Sequence, residues 1–338
     1  MSSMFCATSS LFKVRPGGIF EEQDKCFELK SQQAYNGRPV SSTSSPRPII
    51  VLGVDRSGTS LVSELIWKWG AYPGDLAKLL EANPSNPQGY WEYTPMQDML
   101  EELMNSTGLP SCHPEMDRRM AEKAGDPELR GRALKLVAEM EAEGKPWFWK
   151  EPYLSVSLAF WEKIWKDPVY VIPVRNPQDS ALSFEKMFLP PALRGGGIRI
   201  VAMFLLRWQH FILSILAHSE SNPSTIFIPY EELLEHPEDQ CRRLSRFLDA
   251  ACGTESGGEE QLQRMAKTVN PDLWRNKSRV PFSAVPEATA EQIALFDYLH
   301  RKVADPAAPF DPQLYELSAG WREYLQNFDL IFDMFAQD

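Results

Sequence analysis

The chain is organised around one stretch, Pro48-Ile49-Ile50-Val51-Leu52-Gly53-Val54-Asp55-Arg56-Ser57-Gly58-Thr59-Ser60. It opens with an apolar run, Ile49 to Leu52, that predicts a short buried strand entering a turn with two glycines. Apolar residues then recur at helical spacing, namely Leu61, Val62, Leu65, Ile66 and Trp69. The stretch therefore predicts a strand, a glycine-containing turn and a helix, in that order.

A turn between a strand and a helix can bind an anion. Consecutive backbone N–H groups converge there, and the N-terminus of the helix adds a positive partial charge. Arg56 supplies a formal charge, and the hydroxyls of Ser57, Thr59 and Ser60 supply further donors. We therefore expect the turn, Gly58 included, to hold a phosphate or sulfate group; the alternative is a serine-rich turn that only caps the helix.

The two glycines, Gly53 and Gly58, have the spacing of a Walker A loop, but the next residue differs. Thr59 stands where a nucleoside triphosphatase carries the lysine that reaches the β and γ phosphates. A second apolar strand, Val169 to Val174, ends in Arg175 instead of a magnesium-binding aspartate. A P-loop-type small-molecule kinase is therefore an alternative function, and a non-catalytic nucleotide-binding module is another.

Further apolar runs predict strands at Trp147 to Trp149, Val169 to Val174 and Thr225 to Ile228, each followed by a helical pattern. Buried strands that alternate with helices indicate a parallel sheet with right-handed crossovers. We therefore predict an α/β fold of P-loop-like type, with a central parallel sheet flanked by helices in three layers. Pro173 is expected near the end of its strand, because proline cannot donate to a ladder.

The predicted helices follow from periodicity and proline positions. We expect a short turn before Pro237 and a helix from Glu238 to about Leu248, then two amphipathic helices from Ala290 onward. Ile198 to His218 reads as a long buried helix and not a membrane span, because it carries Arg199, Arg207, Gln209 and His210.

Length and composition exclude several classes of protein. The chain has 338 residues and a net charge of −11, which disfavours nucleic acid as a partner. Its five cysteines show no disulfide framework or zinc-finger spacing, so a reducing, cytoplasmic location is expected. Residues 1–47 are predicted to form an N-terminal arm, with an organelle transit peptide as the alternative, and residues 48–338 a single domain.

A second anion-binding group is expected at Arg175, which ends a predicted strand. Ser183 follows eight residues later inside the next helix, after the turn Asn176-Pro177. Two helical turns bring Ser183 back to the side where the helix starts, so Arg175 and Ser183 could bind one phosphate from two directions. The alternative is a salt-bridged surface arginine.

Together these two segments resemble the sulfotransferase family that uses 3′-phosphoadenosine 5′-phosphosulfate (PAPS). The resemblance implies that Arg56-Ser57-Gly58-Thr59 binds the 5′-phosphosulfate and that Arg175 with Ser183 binds the 3′-phosphate. It extends over Pro48 to Leu248 through three further segments in the family's order: Asn86 to Glu92, Lys150-Glu151-Pro152, and Tyr230 to Leu234 with Pro237 and Phe247-Leu248.

The chain departs from the cytosolic small-molecule members of this family. They carry lysine at the position of Arg56 and histidine at the position of Pro152, so the chain is nearer to tyrosylprotein and bacterial sulfotransferases. Their glycine- and lysine-rich C-terminal motif is absent. Arg275 and Lys277 are the candidates that complete the 3′-phosphate site, and a solvated basic turn is the alternative.

Sulfuryl transfer needs cations on the side of the departing nucleotide and a base on the side of the acceptor. Arg56, the amides of Ser57 to Ser60, and Lys150 fit the first task, since Lys150 ends a predicted parallel strand. Glu92 is the expected base, by resemblance and because Gly89-Tyr90-Trp91 would raise its pKa in an aromatic pocket. The alternative bases are Glu151, Glu81 and His113.

The remaining expectations concern the ligands. By resemblance, Tyr230 packs near adenine, with a plain core tyrosine as the alternative, and no metal is needed because PAPS is already activated.

The acceptor is expected to be a small molecule with a hydroxyl, phenol or amine, since the net charge disfavours a polyanionic sugar. Residues 189–197 are a candidate lid. The aromatic residues that line either the acceptor pocket or the core are Trp67, Trp69, Trp91, Trp161, Trp165, Phe184 and Phe188.

Overall fold

The computed structural model describes residues 46–81, 86, 89–109, 113, 115–188, 200–255, 257–273, 277, 280–310 and 314. Most of the predicted arm, the candidate lid 189–197, the side chain of Phe188, Arg275 and the second C-terminal helix lie outside the described residues. Arg47, one residue before the predicted start of the folded domain at Pro48, already makes long-range hydrogen bonds. Arg47 donates from Nε to the carbonyl of Asp167 at 2.8 Å and from Nη2 to Ser224 Oγ at 2.9 Å.

The sheet consists of four parallel strands in the order β2-β1-β3-β4. The strands are β1 (Pro48–Val51), β2 (Trp147–Lys150), β3 (Val169–Val174) and β4 (Thr225–Pro229). Almost every strand residue is buried, as expected for a sheet covered on both faces. Pro173 is the penultimate residue of β3, opposite Ile228 of β4. The predicted parallel sheet and its strand positions are confirmed.

The helices surround this sheet. Their bounds are α1 (Thr59–Trp69), α2 (Thr94–Thr107), α3 (Met116–Lys123), α4 (Pro127–Glu141), α5 (Leu158–Trp161), α6 (Pro177–Phe188), α7 (Ile200–Ser219), α8 (Tyr230–Glu235), α9 (Pro237–Cys252), α10 (Gly258–Thr268) and α11 (Ala290–Ala304). Short 3₁₀ helices lie at Leu76–Lys78, Pro152–Val156, Pro271–Leu273 and Phe282–Ala284.

Side-chain alternation along β1 divides the core between the two faces of the sheet. Ile49 and Val51 pack on one face, which α1, α9 and α10 cover, and Ile50 packs on the other face, which α2 to α5, α7 and α11 cover. The arrangement is therefore helices, sheet, helices. The predicted α/β class with three layers is confirmed.

The segment around Pro237 differs from the prediction. We expected a turn and then a helix from Glu238, whereas the structure has a short helix, α8, and then α9 beginning at Pro237 itself. Proline suits the first helical position, because its fixed φ is helical and its missing N–H would have no partner in the helix there. The helix Ala290–Ala304 agrees with the prediction, and a capping box at Thr289 and Gln292 starts it.

The predicted long buried helix is α7. By length and composition it could cross a membrane, but 72% of its most apolar 18-residue window is buried inside the protein. Arg207 and His218 on this helix are buried as well. A buried charged group must be paired, so these two residues of α7 need polar partners on other elements. Arg207 pairs with Asp55, and His218 pairs with Asp117.

Several aromatic residues proposed for the acceptor pocket belong to the core. Trp161 and Trp165 stack with ring centroids 5.4 Å apart and an interplanar angle of 17°, and Trp149 packs edge-on against Trp161. All three are buried in one hydrophobic cluster. The core alternative therefore holds for Trp161 and Trp165.

Candidate functional site

The glycine-containing turn after β1 forms a tight loop at the carboxyl edge of the sheet. Arg56 has a left-handed backbone with φ of 64°, and Gly58, the N-cap of α1, has φ of 96°. Ser57 Oγ donates to the carbonyl of Val54 at 2.6 Å, so this hydroxyl closes the loop. Ser155 Oγ accepts from the backbone N–H of Gly53 at 3.0 Å and ties the loop to the segment after β2.

The two predicted anion-binding segments meet. Arg56 Nε donates to Ser183 Oγ on α6 at 3.0 Å. Arg175, directly after β3, donates from Nη1 to the carbonyl oxygen of Arg56 at 2.7 Å. The loop after β1, the end of β3 and helix α6 are therefore joined by direct hydrogen bonds.

Tyr230 begins α8 and packs on the same loop. The guanidinium of Arg175 lies 4.6 Å from the centroid of its ring. A Cβ atom at Gly58 would stand 2.3 Å from Tyr230 Cδ2, so only glycine allows this approach. Burial raises the pKa of the phenol, with Arg175 and Arg56 opposing that effect. Tyr230 therefore contacts both segments, through Gly58 and Arg175, and also belongs to the hydrophobic core.

Electrostatics favour an anion at this point. Burial and the neighbouring Arg175 both lower the pKa of Arg56, which is the signature of two cations brought close together with little solvent. Among the described residues, the buried Nε of Arg175 has no hydrogen-bond partner. An anion between the two guanidinium groups would relieve their repulsion and supply an acceptor, so the residues present fit a phosphate or sulfate group.

A buried ion pair lies at the end of β2. Lys150 Nζ is 2.5 Å from Glu92 Oε1, and Gln97 Nε2 donates to Glu92 Oε2 at 2.8 Å. Val51 of β1 is in register with Lys150, so the pair lies one strand away from the anion-binding loop. The structure brings the predicted base and the predicted lysine into contact with each other.

Glu151 and Asp55 complete the charged group at this edge. The pKa of Glu151 is raised well above its usual range by burial and by the nearby carboxylates of Glu92 and Asp55. One carboxylate oxygen of Glu151 accepts from the backbone N–H of Tyr153 at 2.5 Å. Arg207 of α7 pairs with Asp55 at 2.6 Å. This edge of the sheet therefore carries two ion pairs, Lys150 with Glu92 and Arg207 with Asp55, and Glu151 lies near both carboxylates.

Trp91 immediately precedes Glu92 and has an unusual backbone. Its φ is 60°, in the left-handed region that bulky residues rarely occupy. Its ring packs 4.9 Å from the ring of Trp67 on α1, and both are only partly buried. Trp91 is thus the predicted pocket aromatic that is adjacent to Glu92 in the chain, and Trp67 packs against it. Phe184, also partly buried, has its ring centroid 5.3 Å from that of Phe204.

The other candidates have different environments, and Leu80, the residue before Glu81, donates its backbone N–H to the carbonyl oxygen of Glu92 at 2.8 Å. Glu81 is exposed, and His113 Nδ1 accepts from the backbone N–H of Glu115 at 3.1 Å. Burial lowers the pKa of His113. Lys277 is exposed, and its proposed companion Arg275 is not among the described residues.

Sequence reasoning missed three supporting residues: Ser155, Gln97 and Arg207. Arg207 had a usable signal, because a charged residue inside an apolar helix must find a partner when the helix is buried. Ser155 and Gln97 carried no comparable signal, since serine and glutamine are common on surfaces.

Comparison with known proteins identifies the family of the chain. The sulfotransferase family matches residues 48–252, which is more than half of the chain. No curated protein matches.

Among solved structures, the sulfotransferase domain from the olefin synthase of Synechococcus PCC 7002 is similar at 16% identity and a TM-score of 0.41, covering 87% of this chain and 98% of that chain. The sulfotransferase STF9 from Mycobacterium avium is similar at 16% identity and a TM-score of 0.44, covering 77% of each chain. TM-scores below 0.5 carry no weight alone, so the family match is decisive. The chain belongs to the sulfotransferase family.

Proposed function

We propose that this protein transfers the sulfuryl group of PAPS to a hydroxyl, phenol or amine of a small-molecule acceptor. One observation carries the proposal: the hydrogen bonds from Arg56 to Ser183 at 3.0 Å and from Arg175 to the carbonyl of Arg56 at 2.7 Å. They bring together two segments that each resemble a phosphate-binding part of the family.

The donor would be held by residues of both segments. The loop amides from Ser57 to Ser60 and the guanidinium of Arg56 are assigned to the 5′-phosphosulfate, and Arg175 with Ser183 to the 3′-phosphate. Tyr230, against Gly58 and Arg175, is assigned to the adenosine end of the donor. Arg275 and Lys277 remain candidates for the 3′-phosphate. A metal ion is not part of the proposal, because the mixed anhydride of PAPS already activates the sulfuryl group.

The reaction is proposed as an in-line displacement. The acceptor oxygen forms a bond to sulfur while the bond from sulfur to the bridging oxygen of the nucleotide breaks. Arg56 and Lys150 stabilise the negative charge left on that bridging oxygen. Glu92 accepts the proton of the acceptor hydroxyl.

The pairing of Lys150 with Glu92 supports this division of roles. Lys150 contacts the proposed base, and we assign its ammonium group to the leaving side as well, where it would respond to charge that moves from one side to the other. Glu151 is the second choice for the base, because the family resemblance points to Glu92; the carboxylates of both residues already accept hydrogen bonds, Glu151 from Tyr153 and Glu92 from Gln97 and Lys150. Glu81 is exposed and His113 is engaged by Glu115, which makes both of them weaker choices.

The acceptor is proposed to be a phenol or alcohol that packs against Trp91 and Trp67. Their rings are partly buried and pack against each other, and Trp91 directly precedes Glu92 in the chain, so a small apolar acceptor could contact them near the proposed base. The net charge of −11 argues against an acidic polymer. A cytoplasmic location remains part of the proposal.

The test is calorimetric titration with adenosine 3′,5′-bisphosphate, ATP with magnesium, and AMP, on the wild type and on Arg175→Ala. We expect selective binding of the bisphosphate, weakened about tenfold or more in the variant, because a charge-assisted pair is lost. Arg243→Ala is the matched control: Arg243 also donates to a backbone carbonyl, that of Phe227 at 2.8 Å, and its loss should leave affinity unchanged.

Transfer of radiolabelled sulfate from PAPS to a panel of phenols and alcohols completes the test. Equal binding of ATP with a magnesium requirement would favour the kinase alternative. Selective bisphosphate binding without turnover on any acceptor would favour the non-catalytic module.

A further inference from the structure

A partly buried ion pair includes a residue of the anion-binding loop. Oδ2 of Asp55, the residue before Arg56, accepts from Arg207 Nε at 3.1 Å and from Arg207 Nη2 at 2.6 Å. Arg207 comes from α7, and its guanidinium lies 5.0 Å from the ring of Tyr153 and 4.5 Å from that of Phe211. The pair therefore connects the loop to the core helix.

The position of Asp55 creates an electrostatic problem for an anion-binding loop. Asp55 directly precedes Arg56, the residue assigned to the 5′-phosphosulfate. Burial is the main cause of the raised pKa of Glu151, and the carboxylates of Glu92 and Asp55 raise that pKa further. A carboxylate beside the loop opposes the binding of an anion unless a cation neutralises it. Lys150 is paired with Glu92, and Arg207 is paired with Asp55.

We propose that Arg207 is a positioning residue of the donor site, which neutralises Asp55 and holds it against α7 so that the loop accepts an anionic nucleotide. The inference rests on the proposed function, since the donor is the anion concerned. Arg207 acts through Asp55, and no contact between Arg207 and the donor is required.

The same helix offers a matched control pair. Beyond the other end of α7, Glu220 pairs with Lys302 at 2.9 Å, with side-chain exposures of 22% and 5%, against 21% and 8% for Asp55 and Arg207. Lys302 Nζ also lies 5.7 Å from an aromatic ring, that of Tyr298. Twelve residues of α-helix separate Arg207 from Ser219, the last residue of α7, by about 18 Å. Loss of Lys302 therefore tests what breaking a buried pair does when the pair is remote from the loop.

The experiment measures affinity for adenosine 3′,5′-bisphosphate and thermal unfolding on the wild type, Arg207→Met, Arg207→Lys, Asp55→Asn with Arg207→Met, and Lys302→Met. We expect Arg207→Met to weaken binding about tenfold, and more at low salt, because an unscreened carboxylate faces the ligand. Asp55→Asn in that background should restore affinity to within about threefold, and Arg207→Lys should retain it, since each leaves no net charge at the pair. Lys302→Met should lower the Tm without changing affinity.

Several results would overturn the inference. One is equal affinity of folded Arg207→Met and wild type; another is a double variant that stays as weak as the single one, which would mean that Arg207 does not act through Asp55. If Arg207→Met does not fold, the double variant and Arg207→Lys test the inference instead. Loss of bisphosphate binding in either of them would contradict the idea that Arg207 acts by neutralising Asp55. Failure of the wild type to bind the bisphosphate would instead contradict the proposed function.

Discussion

Lys150 and Glu92 place opposite charges 2.5 Å apart in a buried position at the carboxyl edge of the sheet. We expect Glu92→Gln to lower kcat for sulfuryl transfer by about 10²- to 10⁴-fold, because the amide keeps the shape of the side chain but cannot take the acceptor proton. Affinity for adenosine 3′,5′-bisphosphate should not fall, since the base acts on the acceptor side and its replacement removes a negative charge that pairs with Lys150. Steady-state kinetics and calorimetry measure the two quantities.

The control for this prediction is Glu232→Gln. Glu232 also accepts from a glutamine, Gln240 Nε2 at 3.0 Å, but the pair is exposed on α8 and α9. Its replacement should change neither kcat nor affinity. An unchanged kcat in Glu92→Gln would move the base to Glu151, for which Glu151→Gln is the next variant.

The contacts among the proposed site residues are harder to predict from the sequence than the elements that carry them. The eight-residue spacing predicts that Arg175 and Ser183 approach one group, because helix geometry is regular, and in the structure each of them contacts Arg56. The hydrogen bond from Arg56 to Ser183 depends on a left-handed backbone at Arg56 and on how α6 packs, and neither is encoded by local spacing. Likewise, Asp55 and Arg207 are 152 residues apart, so their pairing follows from tertiary packing.

At the level of elements, the start of α1 depends on a glycine. Gly58 has φ of 96°, and a Cβ there would stand 2.3 Å from Tyr230 Cδ2. We expect Gly58→Ala to push Tyr230 away from the loop, to lower affinity for adenosine 3′,5′-bisphosphate about tenfold or more, and to lower the Tm. Calorimetry and thermal unfolding measure both effects.

The other end of α1 provides the comparison. Gly70, the C-cap, has φ of 122°, and a Cβ there would meet nothing within 4 Å. Gly70→Ala should therefore cost about 1–3 kcal/mol of stability through backbone strain, with affinity unchanged. Equal affinity losses in both glycine variants would show that general destabilisation, and not the contact with Tyr230, controls the loop.

Elements were predictable where one local signal dominated. Each strand is an apolar run buried on both faces, and such runs are recognisable without knowledge of the fold. Helix α8 was predicted as a turn, because six residues before a proline carry little periodic signal. The roles of the tryptophans could not be predicted, because a core cluster and a ligand pocket have the same composition; packing alone separates Trp161 from Trp91.

For the whole molecule, His218 joins three elements through a buried ionic cluster. Its Nε2 and Nδ1 lie 2.8 Å from Asp117 of α3 and from Glu162 after α5, and Glu162 also accepts from Tyr170 of β3. Burial lowers the pKa of His218, but the two carboxylates more than reverse this effect and raise it to about 9. The histidine is therefore charged at neutral pH and stabilises the fold in that form.

This raised pKa predicts how stability depends on pH. The contribution of His218 is complete below the unfolded-state pKa of about 6.5 and is lost as the pH rises through about 9, a loss of about 3 kcal/mol. Urea unfolding of the wild type and of His218→Gln should therefore differ most near pH 6 and converge towards pH 10. His300→Gln, which removes an exposed histidine from α11, serves as the control. A difference that stays constant from pH 6 to pH 10 would contradict the charged cluster.

The strand order has a consequence for how the chain is made. β1 is synthesised first but lies in the interior of the sheet, and its partners in β2 follow about a hundred residues later, with Pro48 opposite Trp147. At about 5–20 residues per second, the nascent chain carries this apolar segment unpaired for about 5–20 seconds. Ribosome-associated chaperones that bind short apolar segments have a target there throughout that time. The loop after β1 cannot take its final shape until the ribosome has delivered most of the polypeptide.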